Sequence, residues 1–185
     1  MERRRFIAAL GTATAVGSTA TYLSVGQTEG ASAELGTLDV PDVDTSTSGD
    51  SIESITLDLT ASYEYSSSHN PDSWTLELLV GDNEDTMQPI DSVTETESLL
   101  QSDSGTETLS GAITSTYHFS TYDFEPSNGG EVSRPVWIGL RFELEANGEV
   151  VAEETITENV SVTVDGASLE ASASVGGSGE ISIET

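Results

Sequence analysis

Apolar and polar residues alternate along much of this chain, and only extended strands place such residues on separate faces. One stretch has an apolar side chain at every second position: Ile55, Leu57, Leu59, Ala61, Tyr63 and Tyr65. Another repeats the pattern with Val136, Ile138, Leu140, Phe142, Leu144 and Ala146. Because successive side chains of a strand point to opposite faces, this period of two predicts long strands, each with one buried face.

Shorter alternating runs and turn signals complete the fold prediction. Asn147-Gly148 predicts a tight type I′ turn, because both residues tolerate positive φ. Residues 86–110 are the weak stretch and fit either a short helix near 93–100 or an irregular excursion. A strand is expected around Ile113 and Phe119. The whole pattern predicts an all-β fold of about eight or nine strands, a two-sheet antiparallel β-sandwich that is Ig-like or jelly-roll-like.

The charge of the chain restricts its environment and its partners. There are 33 acidic residues against five arginines and no lysine, for a net charge of -28. Such a chain repels itself in dilute buffer, whereas salt at 1 M shortens the Debye length to about 3 Å. In this respect the composition resembles that of proteins from extremely halophilic archaea. Nucleic acid is excluded as a partner, because only Arg134 and Arg141 are basic beyond the first five residues.

The first 33 residues have the features of an export signal. Arg3, Arg4, Arg5, Phe6 and Ile7 stand in order, an uncharged run extends to residue 25, and Ala31-Ser32-Ala33 follows. This arrangement resembles a twin-arginine signal, with Arg3, Arg4 and Phe6 as its motif. The resemblance implies that the twin-arginine translocase carries the folded protein to the cell surface or the extracellular space.

We expect cleavage after Ala33, which divides the chain into a signal at 1–33 and a single β-sandwich domain at 34–185. The uncharged run is about 20 residues long, which is also the length of a membrane span. An uncleaved anchor is therefore the alternative.

Two segments carry candidate binding chemistry. Asp42, Asp44, Asp50 and Glu53 have the spacing of oxygen ligands in a calcium loop, although Thr47 stands where glycine is expected. Calcium is the only cofactor that the sequence suggests. The chain has two histidines, of which His118 is expected to be exposed, and it has no cysteine. Disulfides and thiolate chemistry are therefore excluded.

Three further residues are candidates for surface contacts. Asn159 begins an Asn-Val-Ser sequon, which predicts a glycosylation site if the chain is exported. Trp137 and Arg141 are expected on the outer side of one strand, where they would form a contact patch. The alternative is that this face packs under a loop or a sheet edge.

The sequence favours a non-enzymatic function. It contains no nucleophile motif, and its many carboxylates make any hydrolase-like pair uninformative, so a secreted carboxylate-based hydrolase has the least support. We expect a structural or adhesive protein of the cell surface that partners with further copies or with other cell-envelope proteins. The alternative is an extracellular module that binds carbohydrate or calcium and uses Trp137, Tyr122 and Phe124 as exposed aromatic residues.

Self-assembly by strand exchange is the sharper form of this expectation. Residues 35–40 and 181–184 are short alternating segments that can add to a sheet edge of another copy. Gly36-Thr37-Leu38-Asp39 resembles the mature start of biofilm-matrix fibre proteins of the TasA type and of the archaeal bundling pili related to them. That resemblance implies a homo-oligomeric, pilus-like assembly.

Overall fold

The structure is a computed structural model that describes residues 21–24, 30–38, 40, 43–46, 52, 54–97, 99–126, 130–165, 172–174 and 179–184. Within these ranges the regular elements are strands and three single-turn 3-10 helices. The strands are β1 Thr21–Ser24, β2 Ala31–Leu35, β3 Val43–Ser46, β4 Ser54–Ser67, β5 Ser73–Gly81, β6 Gln88–Glu95, β7 Ser102–Ala112, β8 Glu131–Ala146, β9 Glu149–Asp165, β10 Ser172–Ser174 and β11 Gly179–Glu184.

The strands form two sheets. Sheet A has six strands in the order β1-β9-β8-β5-β6, with β3 also paired to β9. Sheet B has five strands in the order β10-β11-β4-β2, with β7 also paired to β4. The pairings are antiparallel except that of β3 with β9, which is parallel. The predicted all-β, two-sheet antiparallel sandwich is confirmed.

The core lies between the two alternating faces that the sequence predicted. Tyr63, Tyr65, Trp74 and Phe142 form an aromatic cluster in which the ring centroids of Tyr63 and Trp74 are 4.7 Å apart. Aromatic pairs of this kind add about 0.5–1.5 kcal/mol to the stabilisation from burial. The Tyr65 hydroxyl is buried and has no hydrogen-bond partner among the described atoms, and burial raises its pKa.

Two parts of the chain differ from expectation. Residues 88–95 and 102–112 are strands β6 and β7, so the helix considered near 93–100 is absent. These strands lie at one side of the sandwich, where few side chains are fully buried, and their alternation is correspondingly weak. The strand expected around Ile113 and Phe119 is also wrong, because Ile113–Ser115 and Thr121–Asp123 are 3-10 turns.

The turn between β8 and β9 was predicted correctly. Asn147 has a φ of 56° and Gly148 a φ of 76°, as a type I′ turn requires. It joins the two longest strands of sheet A, which pair from Glu131–Asp165 to Ala146–Glu149. Side chains of β8 and β9 alternate between the core and the outer face of sheet A.

Candidate assembly interface

One edge of β4 is completed by two strands from distant parts of the chain. β2 pairs with residues 63–67 of β4, and β11 pairs with residues 54–59. Both are antiparallel to β4, and β7 occupies its opposite edge. The edge is therefore closed by segments near the two ends of the described chain, each held by backbone pairing.

The first of these segments also fills the core. Residues 31–38 and 40, here called the closing segment, bury their apolar side chains between the sheets: Ala31, Ala33, Leu35, Leu38 and Val40. Its strand, β2, also lies against β9 and β8 of sheet A. The closing segment thus connects the two sheets and contributes to both.

Two glutamates of β9 bind the backbone of the closing segment. A side-chain oxygen of Glu158, which is 2% exposed, accepts a hydrogen bond of 2.7 Å from the Val40 amide. Glu154 accepts one from the Leu35 amide. Hydrogen bonds from backbone N–H groups to carboxylates are roughly twice as strong as those between neutral groups. The pair therefore fastens the closing segment to sheet A.

The environment of Glu154 does not favour its charge. Burial raises the pKa of Glu154, the Leu35 hydrogen bond lowers it, and the nearby charge of Glu34 raises it again, with a net increase. Sequence analysis missed Glu154 and Glu158, yet a signal was present. They occupy alternate positions with Ala152, Ile156 and Val160, where the core-facing side of β9 is otherwise apolar.

The predicted signal and calcium residues lie mostly outside the described residues. This applies to Arg3, Arg4 and Phe6 and to Asp42, Asp50 and Glu53. Asp44 belongs to β3, although its side chain is not among those described. Ala33 lies within β2, is 2% exposed and pairs with Tyr65. In the described part of the chain, no group of three or more His, Asp or Glu residues is arranged to hold a metal ion.

The outer face of sheet A holds the two residues of the predicted contact patch. Trp137 is half-buried there. Arg141 donates a 2.8 Å hydrogen bond from Nε to Glu77, and its Nε is 3.4 Å from Glu143. Burial opposes the guanidinium charge, but the hydrogen bond and charge of Glu77, together with the charges of Glu143 and Glu153, outweigh it and raise the pKa of Arg141. Arg141 is therefore engaged within the molecule.

Other predicted surface residues have different environments. His118 was expected to be exposed, but its side chain is 6% exposed and its Nδ1 is 3.0 Å from a carboxylate oxygen of Asp82. Phe124 is fully buried, so its expected role as an exposed aromatic residue is wrong. Tyr122 is 80% exposed. Asn159 pairs with Trp137 on half-buried ladder positions, and its glycosylation remains a prediction.

Comparisons with known proteins add no family assignment. No protein-family model, curated protein or solved structure matches this chain. Among the residues that the structure describes, no helix has the length and apolar character needed to cross a membrane.

Proposed function

We propose that this chain is an exported, salt-adapted structural or adhesive protein of the cell surface that assembles through strand exchange between copies. The observation that carries the proposal is the closure of one β4 edge by two separate strands, β2 and β11. Each is attached to β4 by ladder pairing, and each lies near an end of the described chain.

Strand exchange needs no contacts other than those already present. Backbone hydrogen bonds give a strand its affinity for a sheet edge, and pockets for alternate side chains give specificity. The closing segment supplies both through its pairing with β4 and its buried side chains. A strand from another copy with a similar side-chain pattern can make contacts of the same kind at this edge, so assembly needs no new type of interface.

Charge sets the condition under which copies associate. Each chain carries a net charge of -28, so association in dilute buffer is opposed by repulsion between copies. At molar ionic strength the Debye length falls to about 3 Å and that repulsion is screened. Assembly is therefore expected in concentrated salt, which is also the environment that the composition favours.

Size-exclusion chromatography in molar salt tests the proposal. We expect oligomers whose size increases with protein concentration, and filaments in electron micrographs of the largest fractions. Leu35→Gln, which places an amide at a buried position of the closing segment, should reduce assembly. Leu100→Gln is the matched control, because Leu100 is 62% exposed and lies outside the closing segment.

Circular dichroism must show that both variants retain the strand signal. A clean monomer of the unsubstituted protein at high concentration, in molar salt and with its signal removed, would count against strand exchange. Equal loss of assembly in both variants would show that the closing segment has no particular part in it.

A further inference from the structure

The peptide bond at which we expect the signal to be removed lies in a docked strand. Ala31 and Ala33 are 7% and 2% exposed, and they pair with Ser67 and Tyr65 of β4. Proteases act on transiently opened segments, and a bond inside a paired, buried strand is protected from them. Hydrolysis of the bond between Ala33 and Glu34 therefore requires that β2 leave β4.

Cleavage at this bond would divide the closing segment into two unequal parts. The part upstream of the cut contains Ala31 and Ala33 together with β1, which pairs with residues 154–157 of β9. The part downstream keeps Leu35 and Val40, whose amides are bound by Glu154 and Glu158. Loss of the first part uncovers residues 65–67 of β4 and residues 154–157 of β9, while the second part remains fastened.

We propose that docked β2 blocks both its own cleavage and the binding of a second copy, so that processing after Ala33 opens the acceptor for assembly. The acceptor is the edge of β4 at residues 65–67, and the same loss also frees the edge of β9 at residues 154–157. This inference rests on the proposed function, since it states what controls strand exchange at the same site.

The small pockets that β2 leaves indicate which segment of a second copy would bind there. Ala31-Ser32-Ala33 places two methyl groups against the core and a serine outward. The sequence Ala-Ser-Ala recurs at residues 171–173, and residues 172–174 form β10, the outermost strand of sheet B. Residues 171–173 of a second copy, of which Ser172 and Ala173 belong to β10, therefore have the sequence pattern that the opened acceptor requires.

A disulfide that holds β2 on β4 tests whether β2 must undock for cleavage and assembly. Ser32 and Ser66 are paired across β2 and β4 with their hydroxyl oxygens 2.9 Å apart, and the chain has no cysteine. Ser32→Cys with Ser66→Cys is therefore close enough to form a disulfide that holds β2 in place. Ser133→Cys with Thr163→Cys is the matched control, because these residues are directly paired across β8 and β9 and their hydroxyl oxygens are 3.1 Å apart.

The full chain of each variant is folded in molar salt and treated with elastase, which cuts after small residues. Mass spectrometry follows the product that begins at Glu34, and size exclusion follows assembly. We expect the oxidised Ser32–Ser66 variant to lose at least about tenfold in cutting rate at this bond, in line with protection of docked segments. It should also stay monomeric. Reduction should restore both cutting at this bond and assembly. In the control variant, neither oxidation nor reduction should change cutting or assembly.

The outcomes distinguish this inference from the proposed function. If the oxidised Ser32–Ser66 variant is cut and assembles as the control does, the blocking role of β2 is wrong while strand exchange stands. If every processed variant stays monomeric, the proposed function fails, and the cutting rate still decides whether docked β2 protects the bond.

A mixing experiment tests the partner strand. Processed Ser66→Cys protein is mixed with processed Ser172→Cys protein and oxidised. A disulfide-linked pair of the two is expected, because Ser172 would take the position of Ser32. Ser66→Cys mixed with Ser161→Cys is the control. Equal yields of linked pairs in the two mixtures would overturn the assignment of β10.

Discussion

Glu154 places its carboxylate beside the core, where the carboxylate accepts a hydrogen bond from a backbone amide. Its partner is the Leu35 amide, and burial together with the charge of Glu34 raises its pKa despite that hydrogen bond. Ionisation of Glu154 is therefore less favourable in the folded protein than in the unfolded chain. A neutral side chain of the same shape keeps the acceptor oxygen and removes that disadvantage.

Glu154→Gln is expected to increase the free energy of unfolding at pH 7 by less than about 1 kcal/mol, because Glu154 is only half-buried and solvent screens its charge. The sign follows from the raised pKa. The folded state binds a proton at higher pH than the unfolded state, so the native protein gains stability from Glu154 as pH falls through the raised pKa. That gain should be absent in the variant.

Urea unfolding at a series of pH values in molar salt measures this difference. Glu149→Gln is the control, because Glu149 lies on the same strand and is exposed. A variant that is less stable than the native protein at pH 7 would show that the charged hydrogen bond outweighs burial.

Single residues also show what the sequence could predict. The alternating runs placed Leu57, Leu59 and Leu140 correctly on buried faces, because each lies in a long strand. Phe124 and His118 lie in a segment of short turns that has no regular alternation of buried residues, so the sequence pattern did not predict their burial. Glu154 and Glu158 were missed because a carboxylate at a core-facing position is normally excluded by its desolvation cost.

At the scale of elements, the start of β2 depends on a turn that favours glycine. Gly30 has a φ of 94°, and its carbonyl accepts a 2.7 Å hydrogen bond from the Ser68 amide. A Cβ added there would lie 2.4 Å from the Ser68 hydroxyl oxygen. Both the backbone conformation and the contact therefore disfavour any side chain.

Gly30→Ala is expected to lower the free energy of unfolding by about 1–2 kcal/mol, because L-residues are strained at this φ and the Ser68 side chain must shift. The effect should be centred on β2, seen as faster hydrogen exchange of its paired amides. Gly148→Ala is the control, because it has a φ of 76° with no atom within 4 Å of the added Cβ. Gly148→Ala should also lower the free energy of unfolding, but it should leave hydrogen exchange in β2 unchanged. Equal exchange of β2 in both variants would contradict the local role of Gly30.

Elements differ in how well sequence specifies them. β4, β8 and the turn at Asn147 and Gly148 were predictable, because a long alternating face and positive φ leave few alternatives. β6 and β7 were not, because strands at the side of the sandwich are half-exposed and lose their alternation. Residues 35–40 were predicted as an exchangeable segment, whereas their anchoring to β9 depends on tertiary contacts that no local pattern encodes.

At the scale of the whole molecule, a net charge of -28 opposes the compact fold wherever salt does not screen it. Even the outer face of sheet A groups Glu77, Glu143 and Glu153 around the single guanidinium of Arg141. Burial raises the pKa of Glu143, Arg141 lowers it, and the neighbouring glutamates raise it, with a net increase. One cation therefore does not offset the surrounding carboxylates.

Circular dichroism across a potassium chloride titration, from about 0.1 to 3 M, should show cooperative folding in molar salt and loss of strand signal in dilute buffer, because the Debye length shortens about fivefold over this range. Sucrose at matched osmolality is the control. It favours burial by exclusion from the protein surface but does not screen charge. Equal recovery in sucrose, or full structure in dilute buffer, would contradict screening as the cause.

The pairing of β4 with β11 also determines when the molecule can be finished. On the edge of β4 opposite β7, residues 54–59 pair with residues 179–184. A nascent chain therefore leaves the ribosome with sheet B incomplete until those residues emerge, long after β4 itself has been synthesised. If the protein is exported in its folded form, as its twin-arginine-like start implies, then translocation must wait until residues 179–184 have been synthesised and have paired with β4.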